Sequence, residues 1–119
     1  MKNSSIKTSR QIAFVKGVSL ISREFAVIYE NESRDGFGEI PIYIAERYVD
    51  YILKEFKKLN HKPMDDFLGY CEKNINNSTC NLIGVTLGES LMCTHSDKFY
   101  LDYIKTAAGT KTKKCLGVL

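Results

Sequence analysis

Across residues 45–59 the apolar side chains Val49, Ile52, Leu53, Phe56 and Leu59 fall on one stripe, and Glu46, Arg47, Asp50, Lys54, Lys57 and Lys58 occupy the rest of the circumference. Spacings of three and four are the period of a helix with one buried face, so the fold must supply something for that face to pack on. Lys57 and Lys58 suit the carboxyl end of the helix dipole, and Asn60 suits a left-handed cap. After a break at residues 61–63 the pattern resumes with Met64, Phe67, Leu68, Cys71 and Ile75, and Asp65 and Asp66 stand in the first turn. The connection is short, which predicts an α-hairpin.

The flanking segments read differently. Residues 11–30 are dense in Ile, Val, Phe and Tyr and are divided by Ser22, Arg23 and Glu24, a composition that predicts two strands of a hairpin, with Phe25, Val27 and Tyr29 alternating along the second. Asp35-Gly36 is a hairpin-turn signal, and Pro41 in the following apolar run means that a third strand lies at a sheet edge or carries a bulge. Residues 79–87 and 88–94 read as two further strands, weakened by Gly84 and Gly88. Residues 97–108, stopped by Gly109, predict a last helix with Phe99, Tyr100, Tyr103, Ile104 and Ala107 on its apolar side, against the alternative of a strand. The expected fold is α+β: an antiparallel sheet starting with a β-meander, packed against the α-hairpin, with a further C-terminal helix.

A chain of 119 residues with 44% apolar and 26% charged side chains fits one globular domain. We expect a flexible segment over residues 1–10, a single domain over 11–109 and a basic tail over 110–119. No apolar run is long enough for a leader or a membrane span, which places the expectation in the cytoplasm. There Cys71, Cys80, Cys93 and Cys115 are expected as reduced thiols. A zinc set of Cys71, Cys80, Cys93 and His95 is the alternative, but it lacks the close cysteine pairs of structural sites, so no metal and no cofactor is expected.

No nucleophile elbow, phosphate-binding loop or metal-binding helix is present, and His61 and His95 sit in polar connections where histidines facing water are expected. No catalytic residue is therefore assigned. The charges are unevenly placed: all 14 acids lie between Glu24 and Asp102, so the net charge of +3 divides into basic ends and an acidic middle. Lys111, Lys113 and Lys114, with the seven tyrosines, offer a nucleotide- or nucleic-acid-binding alternative. Glu30, Glu32, Asp35 and Glu39, opposed by Arg34 alone, instead form an acidic tip suited to a basic protein partner, with Tyr43 as a neighbouring anchor.

Taken as a whole the chain resembles the small, lysine- and asparagine-rich immunity proteins encoded beside bacterial toxins, including those of contact-dependent growth inhibition. The likeness lies in the chain's overall character rather than in a motif, and no functional residue is carried over from it. It implies a cytoplasmic inhibitor that binds a cognate toxin domain, possibly a nuclease with a basic cleft, and blocks its active site.

Overall fold

The computed structural model describes residues 2–90 and 98–117, and these form seven α-helices and no strand. They are α1 (Lys2–Val18), α2 (Arg23–Arg34), α3 (Pro41–Lys57), α4 (Lys62–Asn74), α5 (Asn77–Ile83), which runs on into a π-helical segment (Gly84–Gly88), α6 (Lys98–Ala107) and α7 (Thr110–Leu116). The expected antiparallel sheet is absent among these residues, so the α+β reading is corrected to an all-helical fold. The α-hairpin is present as α3 and α4, and the last expected helix as α6.

Helix α3 is the hub. It touches α1, α2, α4, α5 and the π segment, and it buries Ile44, Ala45, Tyr48, Val49, Ile52 and Phe56. A helix contacted from so many sides has a wide apolar face, which is why the 45–59 stripe was the most readable part of the chain. Its carboxyl end closes with Asn60 N–H donating to Glu55 O and Leu59 N–H to Phe56 O, both at 3.0 Å. This paired capping pattern puts Leu59, not Asn60, in the left-handed conformation, at φ 65°.

The turn signals were real but served helices. Gly36 adopts φ 92°, and the Phe37 and Gly36 N–H groups donate back to Glu32 and Ser33 carbonyls, so Asp35-Gly36 ends α2 rather than turning a hairpin. Pro41 opens α3 at its first position, where a missing N–H costs nothing. Residues 11–30 form the end of α1 and most of α2. Their buried positions, Phe14, Val15, Val18 and Phe25, with Ile28 and Tyr29 partly buried, follow helical spacing, whereas Val27 of the supposed strand face is exposed. In residues 79–87 the buried set Thr79, Leu82, Ile83, Thr86 and Leu87 again has a helical period. Burial in helical register overrode the β propensity of these residues.

Tyrosines of the hairpin complete the end of α1. Tyr48 Oη–H donates to Val15 O at 2.8 Å and Tyr70 Oη–H to Phe14 O at 3.0 Å, supplying donors to carbonyls near a helix terminus. Residues 2–10, expected as a flexible segment, fall within α1. The expected basic tail is helix α7 through Leu116, with Thr112 and Leu116 buried.

Candidate binding surface at the α2–α3 corner

The residues singled out as an acidic tip lie on a helix–helix corner. Glu30 and Glu32 sit in the last turns of α2, Asp35 is its C-cap, Glu39 lies in the connection, and Tyr43 belongs to the first turn of α3. Glu30, Asp35 and Glu39 are exposed and Glu32 is half-buried. Two residues apart on a helix, Glu30 and Glu32 diverge by roughly 200°, so the four acids surround the corner rather than converge on one point. None of them is ion-paired among the described residues.

The structure does bring Tyr43 into a stack. Its ring lies 4.5 Å from that of Phe37 with 21° between the planes, and the Arg47 guanidinium stands 5.3 Å over the Tyr43 ring. Arg47 also pairs with Asp50 at 3.1 Å. Ile40 and Ile42, at 43% and 44% exposure, lie between the two stacked residues in sequence. The corner therefore combines apolar side chains, a rigid aromatic pair and unpaired carboxylates, the ingredients of a protein-binding surface.

Arg47 also lines a groove of about 280 Å³ together with Glu46, Asp50, Val85, Thr86, Glu89 and Ser90. The Thr86 hydroxyl donates to Leu82 O at 2.8 Å, and Arg47 Nε is buried without a hydrogen-bond partner among the described residues. Sequence reasoning missed this groove. Its walls come from α3 and from a segment some 35 residues further on, and no local pattern joins them.

Other residues singled out in the sequence take up particular places. His61 does not face open water: its ring stacks on Phe56 at 4.4 Å and lies 4.8 Å from Tyr103, with Nε2 buried and unpartnered. His95 lies outside the described residues. Tyr103 donates to the Asp65 carboxylate, and burial first, then that bond, pushes its phenol up to about 12. Tyr48 is fully buried, and burial pushes its phenol well above the ordinary tyrosine range.

Two of the four expected thiols are paired. Cys80 on α5 and Cys115 on α7 form a disulfide with Cα atoms 5.2 Å apart. The zinc set is thereby broken, since Cys80 is committed, while Cys93 and His95 lie outside the described residues. Cys71 remains a thiol, and burial raises it far above the ordinary cysteine range. No group of three or more His, Cys, Asp or Glu side chains suited to a metal ion occurs among the described residues. Nor is any helix among them long and apolar enough to cross a membrane.

No protein-family model, characterised protein or solved structure matches the chain.

Proposed function

We propose that this chain is a small cytoplasmic binding protein that neutralises a cognate, basic protein domain of the bacterial toxin type by covering its active site with the α2–α3 corner. The observation that carries the reading is the composition of that corner: exposed Glu30, Asp35 and Glu39 without ion-pair partners among the described residues, around Ile40, Ile42 and the Phe37–Tyr43 stack. Unpaired surface carboxylates attract a basic cleft before contact, and a preformed aromatic pair contributes contact area with little ordering cost. A nuclease cleft, which must bind polyanions, is the kind of basic surface such a corner suits.

The test is to capture the partner from the native host and measure association rates with an Asp35→Lys/Glu39→Lys chain at low and physiological salt. Association should slow by about 10-fold or more at low salt and lose much of its salt dependence. Tyr43→Ala should act chiefly on dissociation. A matched Lys111→Glu/Lys114→Glu chain should bind nearly as the parent does. If the lysine set abolishes binding and the acidic set leaves it intact, the corner is not the site and an anionic ligand becomes the better reading.

A further inference from the structure

Helix α7 is too short to stand alone. It has seven residues, of which Thr112 and Leu116 are buried, and isolated helices of that length are unstable in water. Two anchors hold it. At its start the Glu72 carboxylate of α4 accepts the Thr112 N–H and the Thr112 hydroxyl, both at 3.0 Å, and the Lys111 N–H at 3.4 Å. At its end the Cys80–Cys115 disulfide ties it to α5 across 35 residues of sequence.

The covalent anchor sits beside a close approach of the two backbones. A Cβ on Gly84 would stand 3.0 Å from the Cys115 carbonyl oxygen, and one on Gly88 would stand 3.8 Å from that of Leu116. Gly84 lets the end of α7 lie directly on the π segment, while a side chain at Gly88 would make ordinary contact there. That same segment contributes Val85 and Thr86 to the groove beside α3. One side of the π segment therefore carries the latched helix while other residues of it wall the groove. Both cysteines are half-buried rather than sealed, so a thiolate can approach the bond, in contrast to Cys71 with no exposed surface.

We infer that Cys80–Cys115 is a redox latch that controls the docking of α7 on the π segment. Reduction is by a dithiol, of the kind carried by thiol–disulfide oxidoreductases. One thiolate of the donor attacks a sulfur of the pair and forms a mixed disulfide, and the other cysteine leaves as a thiolate and takes a proton. The donor's second thiol then closes its own disulfide and releases the remaining cysteine. Two electrons and two protons pass to the pair, and the donor is oxidised by the same amount. Oxidising surroundings hold the latch closed. In the reducing cytoplasm the pair stands open, α7 keeps its Glu72 cap and its packing through Thr112 and Leu116, and the π segment loses its covalent clamp. This device is independent of the corner and of any partner.

The experiment uses the full chain, oxidised with glutathione disulfide or reduced with dithiothreitol. In a Cys93→Ser background, which leaves one cysteine in the tryptic fragment 74–98, unreduced digestion of the oxidised protein should yield that fragment linked to 115–119. Backbone hydrogen exchange in 110–116 should be at least ~10-fold faster in the reduced chain, with a smaller rise in 84–88, while α3 stays protected. A Cys115→Ser chain should exchange like the reduced parent under both conditions. Failure to find the linked fragment after oxidation overturns the pairing. Equal exchange of 110–116 in the two redox states overturns the latch even where the bond forms.

Discussion

Helices α3 and α7 are held in place by opposite means. Helix α3 presents a continuous apolar face to five neighbouring elements, and its buried polar group, the Tyr48 hydroxyl, is satisfied by a backbone carbonyl of α1. Helix α7 buries little and depends on a carboxylate cap and one covalent bond. The first kind of attachment is spread over many contacts and responds mainly to changes of volume. The second is concentrated in a few atoms and responds to solvent chemistry, to reductant and to acid. A small helical domain can thus have a body that is indifferent to its surroundings and an end that reports them.

The largest effect should come from opening a hole under α3. Phe56 is buried and touches the rings of His61, Tyr100 and Tyr103 at 4.4, 5.1 and 4.9 Å, so Phe56→Ala removes the centre of an aromatic cluster. The expected loss is about 3–5 kcal/mol in denaturant unfolding, a large part of the stability of a domain this size. An unchanged midpoint would show that α3 is not the hub and would dissolve the contrast with α7.

A smaller effect sharpens the same comparison from its polar side. Tyr48→Phe keeps the ring and removes only the donor to Val15 O, leaving a buried carbonyl unsatisfied at the end of α1. About 1–3 kcal/mol should be lost, with exchange in the last turn of α1 rising more than in α7. Equal loss in both places would mean that α7 is coupled to the core more tightly than its contacts suggest.

The same division explains what was legible in the sequence. Over α6 the pattern left a strand open as the alternative, whereas α3 and α4 announced themselves because their buried stripes repeat at helical spacing through polar surroundings. α1, α2 and α5 did not, since Phe14, Val15, Val18, Phe25, Leu82 and Ile83 are residues that strands also favour. The punctuation was ambiguous for a physical reason: a glycine at positive φ ends a helix as well as it turns a hairpin, and Pro41 suits a helix start as well as a sheet edge. Asn76 was the overlooked sign, because its side chain accepts the Ser78 and Thr79 N–H groups while Thr79 Oγ1 accepts the Asn76 N–H, a capping box that opens α5. At the corner, Glu30, Glu32, Asp35, Glu39 and Tyr43 could be named from charge and position, but not the Phe37–Tyr43 stack, which needs the connection to fold back. The groove and the Cys80–Cys115 bond join residues 35 or more apart, and such pairings do not follow from spacing.

The smallest effect is expected where α7 meets acid. The Glu72 carboxyl is held below the usual carboxylate range, first by the Thr112 N–H and then by the Thr112 hydroxyl and the Lys111 N–H, against a desolvation that acts the other way. A carboxyl lowered by folding contributes its full stabilisation above the ordinary pKa of 4.5 and loses it as pH falls through the lower, folded value. The cap should therefore be intact at neutral pH and fail only in acid, with the disulfide still closed. Following the Thr112 amide resonance of the oxidised chain from pH 7 downward should show one transition with its midpoint below 4.5. Glu72→Gln should abolish that transition and raise exchange in 110–116 at neutral pH, because a neutral amide oxygen is a weaker acceptor for three donors. The Asn60 side chain, which donates to Glu55, a second carboxyl held low in this way, should keep its own acid transition in the variant and so serves as the internal control. If the Thr112 transition survives Glu72→Gln, another group caps α7, and the disulfide alone distinguishes this end of the molecule from its core.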